Sequence, residues 1–146
     1  MAWSLRFAIC ATILSIAGVT GPVWARPAGA APAFDGAWRN PRNTVHLDLR
    51  ACGVHICGHV IWATEAAKTA AARFRKNPLV GQQLFREFTV GDDGTARGKV
   101  FVPDLGLTFR GDARHIDPDT VKVKGCVIGN LVCKSQIWTR LPVAPP

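Results

Sequence analysis

The chain has 146 residues, 18 basic against 10 acidic, and a net charge of +8. That length suits one domain, and no solenoid-type repeat is present. The positive excess favours polyanionic partners, and which polyanions are available depends on the compartment.

The first element in chain order is a leader. Arg6 gives it a positive start, residues 7–19 an uncharged apolar run, and Val23-Trp24-Ala25 the small-residue end that a signal peptidase requires. The run is too short to cross a bilayer, which takes about 20 apolar residues. Residues 1–25 are therefore expected to be a signal peptide cleaved after Ala25, with the protein periplasmic or secreted. No later segment is a transmembrane candidate. Cys10 lies inside the apolar run, so no lipid anchor is expected. Loss of Arg6 leaves a net charge of +7. In a cell envelope such a charge meets lipopolysaccharide or anionic lipid headgroups rather than nucleic acid. Residues 26–33, RPAGAAPA, read as a flexible tether. Residues 34–142 are expected to form a single folded domain, and 143–146 a disordered tail.

TVHLDLRA alternates, with Val45, Leu47 and Leu49 on one face and His46, Asp48 and Arg50 on the other: a half-buried strand. HVIWA, residues 59–63, is the next strand. A turn at Val54-His55 would set Cys52 opposite Cys57, Gly53 opposite Ile56, Arg50 opposite His59 and Asp48 opposite Ile61. It would also gather Val45, Leu47, Leu49, Val60 and Trp62 on one face.

Cys52, Cys57, Cys126 and Cys133 remain after the leader, and an even count in an exported chain reads as a disulfide framework. Opposite positions in a hairpin suit a Cys52–Cys57 bridge. The alternative is a metal site, since His55, Cys57 and His59 alternate and would share a face. That site needs Cys57 as a free thiolate and leaves Cys52 unpaired in an oxidising compartment. A thioredoxin-like redox pair fits less well, because it uses C-x-x-C before a helix.

Residues 64–74, alanine-rich and free of glycine and proline, are the one segment expected to be helical. QLFREFTV, TARGKVFV and LTFRGDARHI follow as strands, linked by the turns Gly91-Asp92-Asp93-Gly94 and Pro103-Asp104-Leu105-Gly106, with Leu107, Phe109 and Ala113 inward. Asp117-Pro118-Asp119 turns into the last hairpin, centred on Gly129-Asn130. There Cys126 is expected to face Cys133, Val127 to face Val132, Lys124 to face Ser135, Val123 to face Gln136 and Val121 to face Trp138. About seven strands with hairpin-length links make an antiparallel barrel or sandwich.

Gly36-Ala37-Trp38, CGVHICGHVIW, NPLVGQQL and GCVIGNLVCKSQIWTRL together resemble a family of small secreted bacterial proteins named only as domain of unknown function 2147. The resemblance runs from about Phe34 to Leu141 and is most specific in the C-terminal stretch. Residues 64–75 depart from the family's usual polar loop. The resemblance implies an all-β fold: a small antiparallel up-and-down, lipocalin-like β-barrel. It implies no substrate. In such barrels a first-strand tryptophan and a last-strand arginine close one end, positions that Trp38 and Arg140 fill.

A small barrel either packs its interior with side chains or holds one small ligand. Leu47, Leu49, Val60, Trp62, Phe88, Val100, Phe109 and Trp138 are expected inward. Arg86, Lys134 and Gln136 share their parity, and polar groups converging in an apolar pocket are what a ligand site needs. The candidate ligand-binding set is thus Arg86, Lys134, Gln136, Trp62 and Phe109. The plainer account is that long side chains snorkel to the mouth or that a bulge shifts parity. Arg73, Arg75 and Lys76, and Lys122, Lys124 and Lys134, form basic clusters. No nucleophile elbow, H-E-x-x-H or phosphate loop is present, and Asp92-Asp93 sits in a glycine turn. The expectation is an exported, non-enzymatic barrel without cofactor that binds a small apolar or amphipathic ligand. The alternatives are a basic surface for envelope polyanions or anionic headgroups, and a filled core with a structural or partner-binding role.

Overall fold

The computed structural model describes residues 31–74, 76–127 and 131–142. The leader, the start of the tether, Arg75, the Gly129-Asn130 turn and the tail lie outside these residues. Eight strands close an antiparallel barrel in sequence order. They are β1 Gly36–Arg39, β2 Val45–Cys52, β3 His55–Ala63, β4 Gln83–Val90, β5 Ala96–Val102, β6 Leu107–Asp117, β7 Thr120–Val127 and β8 Val132–Arg140. Two helices accompany them, α1 Ala31–Phe34 and α2 Glu65–Ala72. No helix among the described residues is long and apolar enough to cross a membrane.

The tether stops short of its expected end. Ala31–Phe34 form a helical turn, because Phe34 is buried and its carbonyl accepts a 2.9 Å hydrogen bond from Trp38 Nε1. The β2–β3, β4–β5 and β6–β7 turns share this end of the barrel with α1, and we call it the closed end. The β3–β4 connection, the β5–β6 turn and the β7–β8 link lie at the other end, the mouth. α2 starts that connection, with the Thr64 hydroxyl accepting from Ala67 N as its N-cap.

The first hairpin turns one residue earlier than the sequence suggests. Cys52 pairs with His55, Arg50 with Cys57 and Asp48 with His59. Gly53 takes φ +69, and glycine adopts that left-handed backbone without a Cβ clash. His55 therefore opens β3 rather than the turn. The shift of two residues in pairing keeps every side chain on its face. Cys52 and Cys57 are consequently diagonal neighbours, and they are bonded across a Cα separation of 5.8 Å.

The last hairpin pairs as expected from Val121↔Trp138 through Lys124↔Ser135 to Cys126↔Cys133 and Val127↔Val132. Its disulfide joins Cys126 to Cys133.

The interior of the lower barrel is packed. Trp38, Leu47, Val60, Phe88 and Val121 are essentially inaccessible. The Phe88 ring occupies the place of the missing side chains at Gly98 and Gly111, which pair across β5 and β6. A Cβ on Gly98 would lie 2.6 Å from that ring. Such filling is what native packing density demands.

Candidate functional site

Strand pairing sets the inner face out in rows. His115, Val121 and Trp138 form one row, and Ala113, Val123 and Gln136 the next towards the mouth. Above them lie Gly111, Gly125 and Lys134, and then the Val127↔Val132 pair, with Phe109 alongside. Phe109 shares the inner face because it pairs with Val100, which in turn pairs with the buried Phe85.

Burial changes sharply along β8. Trp138 is 8% exposed, yet Gln136, Lys134 and Val132 on the same face are all exposed. The cause is the shortness of β1, which pairs with β8 only at Trp38 and Arg39. Residues 132–137 of β8 have no strand on that side among the described residues. The inner wall of β6, β7 and β8 thus opens to solvent above Trp138. It presents apolar Phe109, Val127 and Val132, two polar side chains, Lys134 and Gln136, and a bare stretch at Gly125. A Cβ there would come no nearer than 4.0 Å to any atom, the Arg110 carbonyl oxygen.

Below that opening there is little room. Trp38, Leu47, Leu49, Phe85, Val121, Val123 and Trp138 line a void of about 10 Å³, space for roughly one water. A drug-sized ligand fills about 300–1,000 Å³, so this part of the barrel cannot take one. Trp138 Nε1 is buried here without a hydrogen-bond partner among the described residues.

Two residues expected inward are not there, and a bulge explains each. Pairing slips between His46 and Leu47, so Ile61 and Trp62 are both exposed in succession. Trp62 instead stacks on His46 outside the barrel, centroids 4.4 Å apart. Burial first, and the Arg39 charge second, hold the His46 pKa below its ordinary value. In β4 the slip falls after Arg86, where Glu87 adopts φ +55. Phe85 and Phe88 both face inward as a result, 5.1 Å apart, and Arg86 faces outward. Its guanidinium lies 5.0 Å from the Phe101 ring centroid, and its Nε donates to the Gln83 carbonyl at 3.3 Å.

Phe101 and Leu84 also point away from the interior but are buried, sharing one cluster with Ala71 and Leu79 of the β3–β4 connection. Phe74 of that connection reaches the Gly106 turn between β5 and β6. Arg73 and Lys76 of the expected basic cluster are exposed on it, while Lys122 and Lys124 stand exposed on the outer face of β7, opposite to Lys134.

At the closed end the structure brings Trp38 and Arg140 together, with the guanidinium carbon 4.2 Å from the ring centroid. Arg140 also donates to three carbonyls: Ala33 at 2.8 Å, Pro118 at 3.1 Å, and Asp35. His115 packs between Phe34 and Trp38, at 4.4 and 5.8 Å, an inward position that the alternation of β6 already indicates. His55, Cys57 and His59 share the outer face of β3, but the Cys57 sulfur is bonded to Cys52. His55 Nδ1 sits 3.0 Å from the Thr89 hydroxyl. The alternative metal set has therefore lost its thiolate.

A closed, eight-stranded up-and-down barrel with a sealed lower end is lipocalin-like. The chain belongs to a bacterial family described as "Uncharacterized protein conserved in bacteria (DUF2147)", whose model matches residues 36–140. Among solved structures it is similar to one described as "Protein HP1028 from the human pathogen Helicobacter pylori belongs to the lipocalin family". The TM-score is 0.58 at 13% identity, covering 75% of this chain and 83% of that one. No curated protein matches the chain.

Proposed function

We propose that this is a non-enzymatic binding protein of the bacterial cell envelope. It takes a single-chain amphipathic ligand with an anionic head on the open inner wall of β6, β7 and β8. The observation that carries the reading is the change of burial along β8, where Trp138 is buried but Val132, Lys134 and Gln136 on the same face are exposed. Val132, Val127 and Phe109 offer apolar contact to a chain lying across Gly125, and the Lys134 ammonium offers a charge-assisted hydrogen bond to a carboxylate or phosphate. The ligand is partly immersed rather than engulfed, since the packed lower barrel excludes it. The leader and the two disulfides suit an oxidising compartment.

Energy transfer from tryptophan to a dansyl-labelled fatty acid, kept below its micellar concentration, tests the reading. Lys134→Ala should weaken binding about ten-fold. Gly125→Leu should obstruct the wall and abolish most of the signal. Arg86→Leu, outside the barrel, should change nothing. Binding indifferent to both Lys134→Ala and Gly125→Leu, or no binding at all, would overturn the proposal.

A further inference from the structure

Two properties of the surface are distributed along the barrel axis, and they point the same way. Large apolar side chains stand exposed around the mouth, drawn from three links. Phe74 and Val80 come from the β3–β4 connection, Leu105 from the β5–β6 turn and Leu131 from the β7–β8 link, at 56, 42, 52 and 84% exposure. Trp62, at the mouth end of β3, is 43% exposed beside them. These residues lie on three connections at one end of the barrel and remain exposed, so their grouping is a property of the surface. Exposed apolar side chains collected in one place mark an interaction face.

Charge is sorted along the same axis. The closed end carries Asp35 beside α1, Asp92 and Asp93 in the β4–β5 turn, and Asp117 and Asp119 around the β6–β7 turn. Two of its cations are engaged there, Arg97 with Asp93 and Arg140 at 3.5 Å from Asp119, while Arg114 and Lys122 stand exposed further along β6 and β7. Towards the mouth the balance reverses. Arg42, Arg73 and Lys76 are exposed there, against Asp104 in the β5–β6 turn and Glu65, which Lys68 pairs. The mouth is thus the positive pole of a chain that carries +7 without Arg6.

We propose that the protein docks mouth-first on an anionic lipid bilayer. Phe74, Leu105 and Leu131 enter the headgroup region, and Arg73 and Lys76 face the phosphates. Each feature alone is weaker: apolar side chains give depth of insertion, and basic ones attract to negative headgroups. A soluble polyanion would use the charge but not the apolar ring, and a neutral surface the reverse. Trp62 sits at the flank of this ring, at the level where indoles favour the membrane–water boundary. The docking residues adjoin the Lys134 wall but are substituted independently of Lys134 and Gly125, so the two proposals are tested apart.

Flotation with vesicles, using the full mature protein, is the test. Binding should be at least about ten-fold tighter to vesicles containing phosphatidylglycerol than to phosphatidylcholine alone. Phe74→Ser/Leu105→Ser/Leu131→Ser should weaken it about ten-fold or more. Arg73→Glu/Lys76→Glu should do likewise and reduce the salt dependence. Val54→Ser/Ile116→Ser, exposed apolar positions at the closed end, should float as wild type does. All substituted positions are exposed, and a matching melting temperature confirms folding. The idea is overturned if vesicle binding is absent or composition-blind. It is equally overturned if the triple serine variant binds as wild type while heparin competes fully, which would make the surface a site for soluble polyanions.

Discussion

At the closed end Arg140 donates to the carbonyls of Ala33, Asp35 and Pro118 while its guanidinium covers the Trp38 ring. Trp38→Ala removes a side chain that is 1% exposed and should cost about 3–5 kcal/mol. In a double-mutant cycle with Arg140→Ala, denaturant melts should give a coupling of about 0.5–2 kcal/mol for the cation over the ring. The carbonyl contacts persist without the indole, so Arg140→Ala should remain destabilising in the Trp38→Ala background. Strict additivity would mean that the stacking contributes nothing. His46 carries a second prediction. Its folded pKa is depressed from 6.5, so the neutral ring is the form the fold favours. Its contribution is complete above about pH 6.5 and is lost as pH falls through the lower folded value. Urea midpoints of wild type should therefore drop more between neutral and mildly acid pH than those of His46→Gln. Parallel profiles would remove His46 from the account.

Among the elements, the two hairpins are bridged at opposite ends of the barrel. Cys52–Cys57 lies by the β2–β3 turn at the closed end, and Cys126–Cys133 near the β7–β8 link at the mouth. The chain-entropy account gives each short loop about 2 kcal/mol, so Cys52→Ser/Cys57→Ser and Cys126→Ser/Cys133→Ser should lose similar amounts in thermal melts. Their functional effects should differ. Cys126 and Cys133 flank the row just above Lys134, on strands whose mouth half lacks support from β1, so their loss should loosen that wall and weaken probe binding. The closed-end variant should bind the probe normally once folded. Equal effects of both on the probe would show that the upper hairpin needs no staple.

For the molecule as a whole, the division is between a packed lower barrel and an open upper wall. Two glycines report on it. Gly98→Ala places a methyl 2.6 Å from Phe88 Cδ2 and 2.7 Å from the Arg86 carbonyl oxygen, and overpacking of this kind costs about 1–3 kcal/mol. Gly125→Ala meets nothing closer than 4.0 Å, and a lost glycine in compatible backbone stabilises by about 0.4–1 kcal/mol. Calorimetric melts of the two variants should therefore shift in opposite directions. Two shifts downward of similar size would mean that the wall at Gly125 is as tightly filled as the core.

The resemblance to the family pointed to the barrel, while period two along each strand, turn residues between them and cysteine spacing were enough to read antiparallel strands of a barrel or sandwich, the β7–β8 register and both disulfide partners. These are local properties: side-chain direction alternates along any strand, and a two-residue turn fixes who faces whom. Lys134, Gln136 and Phe109 were legible as inward-facing for the same reason. Trp62 and Arg86 were not, because one extra residue at Ile61 and a left-handed Glu87 reset the alternation. A bulge is chosen by what the sheet must pack, here the Phe85–Phe88 stack, and leaves no mark in a single strand's pattern. Whether the interior is filled or open was likewise decided only by the closed barrel. It depends on how far β1 climbs beside β8 and on the Phe88 ring lying over Gly98 and Gly111, contacts between residues remote in the chain.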